Sequence, residues 1–199
     1  MKGQGPPPAL DRARAGDWEG FEDLLGQTLA PTFDAAVHLF GGGPAAATAA
    51  EDALFDLLES VRRGRFTHGD PLKWTARTLV RGARAAGRAP LEGGLAADDL
   101  VELGLAPGDG RGPAVGRLPV DDRLAATLDV ALDLEPRDLA FALEKPEAEA
   151  AAALARAFKA VPHARPREAL RDVFDRRAAR ERLPAGAEDR VLDRLEKAW

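Results

Sequence analysis

The chain has 199 residues, 45% of them hydrophobic, but 41 are Ala and the bulky Leu, Val and Phe number only 27, 10 and 8; the core they can build is thin for this length. With no Cys in the chain, disulfides, thiolate metal sites and cysteine nucleophiles are excluded, and a net charge of −5 names no partner by itself. No apolar run approaches the roughly 18 residues of a membrane span, and the opening Met1 to Leu10 lacks a secretory signal's apolar stretch, so a cytoplasmic protein without membrane contact is expected.

Residues 1–8, with Gly3, Gly5 and three prolines, read as a disordered tail. From Leu10 to Leu29 the pattern is helical, with Trp18, Phe21 and Leu25 on one face. Pro31 fits the first turn of a second helix carrying Phe33, Val37 and Leu39, which the glycines at 41–43 stop. A third helix is predicted over Thr48 to Val61, with Leu54, Leu57, Leu58 and Val61 as its apolar stripe, and a fourth from Pro71 to Arg88. Residues 90–120 hold seven glycines and four prolines, the composition of a linker, with one or two helical turns expected at Leu100 to Leu105. Helical spacing resumes at Leu124, Leu128 and Leu132, then over Asp138 to Leu143, at Leu154, Phe158 and Val161, over Pro166 to Arg182, and at Val191, Leu192 and Leu195. No segment alternates with period two. The expected fold is all-α: a four-helix unit over 9–89, a linker over 90–120 and a second small helical domain over 121–199.

Catalytic chemistry finds few side chains to use. Ser60 is the one serine, Tyr and Asn are lacking, and His38, His68 and His163 have no second ligand at metal-motif spacing. Gly41-Gly42-Gly43-Pro44 is not followed by Lys-Ser/Thr, so it reads as an interhelical turn and not a phosphate loop. The pairs Asp98-Asp99 and Asp121-Asp122 read as helix-start acids stabilised by the N-terminal dipole. No cofactor, metal or enzymatic activity is expected.

Charge is distributed unevenly. Between Val61 and Pro90 lie eight cations (Arg62, Arg63, Arg65, Lys73, Arg77, Arg81, Arg84, Arg88) and one acid, Asp70, while residues 91–199 carry 17 basic and 22 acidic side chains. Lys73, Arg77, Arg81, Arg84 and Arg88 fall within about an 80° arc of a helix. Like charges four apart repel unless something neutralises them, and no acid interleaves. The stripe therefore fits a polyanion, with Trp74 beside it to stack on a base or pack in the core. The Arg-rich run of residues 166–182 differs: Glu168, Asp172, Asp175 and Glu181 interleave, as on a salt-bridged solvent face.

The order of features over residues 9–89 resembles region 2 of the extracytoplasmic-function sigma factors of bacterial RNA polymerase. Ala15-Gly16-Asp17-Trp18-Glu19-Gly20-Phe21-Glu22-Asp23-Leu24-Leu25 is similar to that family's A-G-D-x-x-A-F-x-x-L helix. The helix from Glu51-Asp52 stands where the family grips the β′ clamp helices, and Phe66, Trp74, Arg77 and Arg88 stand at the spacing of its promoter-melting helix. In place of the family's D-x-x-Q-x-x-F this chain has Asp52, Phe55 and Leu58, and where the family has Asn and Asp in the next helix it has Arg81 and Ala85. The resemblance implies polymerase contact through Asp52, Phe55, Asp56, Leu58 and Glu59. It also implies promoter DNA contact through Arg62, Arg63, Arg65, Lys73, Trp74, Arg77, Arg81, Arg84 and Arg88.

Beyond residue 120 the resemblance fades. Leu134-Glu135-Pro136-Arg137-Asp138 aligns with the start of the family's helix-turn-helix region, but no recognition helix follows, and Leu183 to Leu192 is faintly similar to helical anti-sigma factors. Two expectations result. One is a sigma-like regulator that binds core RNA polymerase and promoter DNA. The other is a degenerate sigma mimic acting by protein contact, either as a decoy for an anti-sigma factor or with its basic helix held against its own acidic second half.

Overall fold

The computed structural model describes residues 8–67, 69–87 and 118–198. Among these residues nine α-helices form and no strand, the all-α class that the helical spacing predicts. Residues 1–7, Arg88, the expected turns at Leu100 to Leu105 and most of the predicted linker lie outside the described residues.

Helix α1 (Pro8–Arg14) and helix α2 (Trp18–Phe40) divide what the spacing predicts as one helix from Leu10 to Leu29. Gly16 between them takes a φ of +82°, and Asp17 caps α2 by accepting from the Glu19 N–H at 3.2 Å. Side-chain capping of an unpaired N–H is the physical reason for the break. A second correction concerns Pro31, which sits inside α2 instead of opening a new helix. An interior proline costs about 3 kcal/mol. Here it adjoins exposed Ala30 and Gln27, while Leu25, Leu29, Phe33 and Val37 on the inner side are buried. At about 1.5–3 kcal/mol for each large side chain, that burial holds the helix through the proline.

Gly41, at φ +94°, ends α2 by donating its N–H to the Val37 carbonyl at 3.0 Å. The turn it makes leads directly into α3 (Gly43–Arg62), which starts five residues before the predicted Thr48. Helix α4 (Pro71–Ala85) begins with Pro71 behind the Asp70 cap, which accepts from the Leu72 N–H at 2.9 Å. In the second half lie α5 (Val120–Leu132), α6 (Pro136–Leu143), α7 (Glu147–Ala160), α8 (Pro166–Ala178) and α9 (Ala187–Lys197). Pro136 and Pro166, like Pro71, occupy first turns, where the missing N–H costs nothing.

The two halves of the chain share a core. Phe33, Val37 and Leu39 of α2 and Leu79 and Val80 of α4 belong to one buried cluster with Leu124 and Leu128 of α5, Leu139 and Leu143 of α6 and Ala153 of α7. Helix α9 joins a second cluster, where Val191 and Leu195 meet Phe21, Leu24, Leu57, Leu58 and Phe66. A third cluster holds α5, α7 and α8 together through Val130, Ala157, Leu170, Val173 and Phe174. No described helix is long and apolar enough to cross a membrane.

Candidate nucleic-acid interface

Helix α4 is strongly two-faced. Ala76, Leu79, Val80 and Ala83 are buried against α2 and α3, which leaves the cationic stripe on the other side. That side is only partly open to solvent, because α6 packs along it and α5 reaches its end. Each described cation of the α4 stripe meets an acid from the second half. Lys73 Nζ lies 2.8 Å from Asp138 Oδ1. Arg77 donates from Nε to Glu144 Oε1 at 2.8 Å, and Arg81 donates to the same oxygen from Nε at 3.1 Å and from Nη2. Arg84 donates from Nη2 to Asp121 Oδ1 at 2.6 Å and to the Leu143 carbonyl at 3.0 Å. Lys145 completes the far end, 2.8 Å from Asp121 Oδ2.

Glu144 is the centre of this arrangement. It ends α6 with a φ of +54°, a left-handed conformation that costs a non-glycine residue about 1–2 kcal/mol. The side chain that leaves this turn is shared between two guanidiniums. Hydrogen bonds from Arg81 and then Arg77 hold its carboxyl far below the usual range, at about 2. At Asp121 burial pushes the pKa up, but the hydrogen bonds from Lys145 and Arg84 outweigh it and the net direction is down. Both carboxyls are therefore anionic across the physiological range, and no change of pH within it opens the pairs.

Trp74 packs into the core instead of presenting a free ring. Its Nε1 donates to Asp56 Oδ2 at 2.7 Å, and its ring meets Phe66 edge-on with centroids 5.4 Å apart. The Arg77 guanidinium lies 5.0 Å from the Phe141 centroid and 5.9 Å from that of Trp74, which spreads its charge over two π faces. Upstream, Arg62 and Arg63 both pair with Glu59, at 2.7 and 2.5 Å, and Arg65 is exposed. Of the nine predicted DNA-facing residues, Arg88 lies outside the described residues.

The predicted polymerase face on α3 is also occupied. Leu58 is fully buried and Glu59 is 7% exposed. Asp56 accepts from Trp74 and from Thr78 Oγ1 at 3.0 Å. Helix α9 covers the remainder: Arg194 donates from Nη1 to Asp52 Oδ1 at 2.8 Å, its guanidinium sits 4.5 Å from the Phe55 centroid, and Arg190 donates from Nε to Glu51 Oε1 at 3.0 Å.

The acids that meet the stripe were not nameable from sequence. The opposed charges of residues 61–90 and 91–199 were visible, but the pairings of Glu144, Asp121 and Asp138 require the packing of α6 on α4. Asp121 and Asp122 do fall in the first turn of α5, as helix-start acids. Asp122 does more, since it is fully buried and takes both ends of the Arg156 fork at 2.8 Å. The Arg-rich α8 is salt-bridged, but Arg167 and Arg171 take Asp129 of α5 and Asp133 at its C-terminal cap as partners, not the acids interleaved in their own helix.

No family model matches the chain, and no curated protein matches it. The sigma-factor resemblance rests on the motifs of residues 9–89.

Proposed function

We propose that this chain is a sigma-like transcription regulator whose DNA-facing helix is neutralised by its own second half, so that in this conformation it acts through protein contact and not by holding promoter DNA. One observation carries the reading: Glu144 of α6 accepts from both Arg77 and Arg81 at the middle of the α4 stripe. Pairing of Lys73 with Asp138 and of Arg84 with Asp121 extends the effect along the helix, so that three carboxylates offset most of the charge of the four described stripe cations. A cation already paired with a carboxylate has little counterion to release on meeting phosphate, and counterion release is the main source of non-specific DNA affinity. The partners in this reading are core RNA polymerase or an anti-sigma factor, with promoter DNA reached only after the pairs open. No bond is made or broken by the chain.

The experiment is affinity capture of core RNA polymerase by the full chain, with and without a fluorescent promoter fragment, beside a variant carrying Val191→Asp to lift α9 from Asp52 and Phe55. Polymerase held without DNA, and held more tightly by the variant, is the expected result. Tight promoter binding by the unaltered chain would contradict the neutralised stripe. Failure of both proteins to hold polymerase would leave an anti-sigma partner as the object of the search.

A further inference from the structure

Beside the stripe, α2, α3 and α4 enclose an open groove of about 770 Å³, within the roughly 300–1,000 Å³ of small-molecule sites. Its apolar walls come from Phe40, Leu79, Ala45, Ala49 and Ala85. The side chain missing at Gly82 leaves the Phe40 ring room, since a Cβ there would stand 3.3 Å from the ring. The polar lining is sparse: the Thr48 and Thr78 hydroxyls, Asp52, and Arg81. Asp52 accepts from Arg194 through Oδ1 at 2.8 Å. Arg81 is different. Its side chain is 56% exposed, it spends Nε and Nη2 on Glu144, and its Nη1 has no acceptor among the described residues. The single Glu144 oxygen it reaches is shared with Arg77.

We propose that this groove binds a soluble amphipathic anion, an alkyl or aryl carboxylate of medium size. Its apolar body lies along Phe40, Leu79 and the alanines, and its head takes the unused Nη1 edge of Arg81. Charge selects the head: the guanidinium that lines the groove keeps one donor group without a protein acceptor among the described residues, while the acid in the lining has Arg194 as its counter-charge. Because head and Glu144 carboxylate meet on one guanidinium, the two anions oppose each other, and occupancy loosens the Glu144 pairing. The site stands whether or not the stripe ever meets DNA.

Titration calorimetry of the full chain with octanoate, octylammonium and octan-1-ol, each below its aggregation limit, tests this directly. Saturable octanoate binding, with octylammonium at least about tenfold weaker, is expected. Arg81→Gln should weaken octanoate about tenfold, whereas Glu144→Gln should strengthen it severalfold by removing the opposing charge. Ala49→Trp, filling the groove, should abolish binding, and Ala45→Leu on the same wall serves if that variant fails to fold. Equal affinity for the cation, or shifts of the same sign in Arg81→Gln and Glu144→Gln, would overturn the assignment. So would octanoate that binds only when presented in vesicles. An unaltered chain that shows no saturable octanoate binding would overturn it as well.

Discussion

Two parts of the second half cover two faces of the first, and they do so by different means. Helix α6 lies over the α4 stripe with Leu139, Ala142 and Leu143 buried in the central cluster, so the cover and what it covers share a core. Helix α9 lies over the α3 face with Ala187, Val191 and Leu195 as its only buried residues, held at the rim by Arg190 and Arg194. Both covers bury side chains in a core shared with the first half, but α6 also packs on α5 and α7, whereas α9 packs on α3 and, to a smaller extent, on α2. With fewer neighbouring helices to hold it, α9 should leave the face around Asp52 and Phe55 before α6 leaves the stripe.

The difference is sharpest in the core. Leu139→Ala removes a fully buried side chain from α6 and should cost about 2–5 kcal/mol. Because α6 shares its cluster with α2 and α4, urea denaturation should show one transition moved to lower urea and not a separate melting of the second half. Val191→Asp loses about 1.5–3 kcal/mol of apolar burial and adds the cost of a carboxylate at a buried site, which lifting α9 relieves. Hydrogen exchange would then quicken over residues 187–197 while α6 stays protected. Equal exchange in α6 and α9 would erase the distinction.

A third prediction concerns the seam between α2 and α8. His38 is buried, its ring stacked on Phe174 with centroids 3.9 Å apart and planes 11° apart. Burial, assisted by the nearby charge of Arg177, pushes its pKa down from 6.5 to about 3. A folded-state pKa below the unfolded one means that the unfolded chain binds the proton first. The contribution of the neutral ring is full above pH 6.5 and drains away as pH falls toward 3. Asp34 on α2 is raised by burial and by Asp175 of α8, and works in the opposite sense in the carboxylate range. Between pH 6.5 and 5 the His38 contribution should fall by roughly 1–2 kcal/mol, read as a lower melting temperature. His38→Phe should flatten that slope.

Glu144→Gln should have the smallest effect on stability. The carboxylate is 35% exposed, and exposed ion pairs contribute about 0–1 kcal/mol. Its depressed pKa puts the loss of the pair between pH 4.5 and about 2, so the pair is intact from pH 6.5 to 4.5, where the His38 contribution is already falling. Acid therefore loosens the α2–α8 seam well before it frees α4.

Much of this fold was legible in the sequence, because Leu, Val and Phe at intervals of three, four and seven mark helices wherever one side must be buried. The errors fell where a local signal lost to packing. Pro31 reads as a helix start, but Phe33 and Val37 bury too much surface to leave α2. The run from Leu10 to Leu29 reads as continuous, but Gly16 and the Asp17 cap divide it. The cationic stripe was legible as spacing and charge at Lys73, Arg77, Arg81 and Arg84. Its partners were not, since Glu144 is 63 residues from Arg81 and nothing in a helical period relates the two. Leu58 shows the same limit from the other side: its spacing placed it with Asp52 and Asp56, while the packing of α2 and α9 on α3 took it into the core.

The central claim is that the second half neutralises the α4 stripe. It is tested most directly by the salt dependence of DNA binding, measured for the unaltered chain and for a Glu144→Gln, Asp121→Asn, Asp138→Asn variant. If the pairs neutralise the stripe, the variant binds duplex DNA more tightly and the slope of log affinity against log salt steepens by about two to three. Equal affinities and equal slopes for the two proteins would contradict the account.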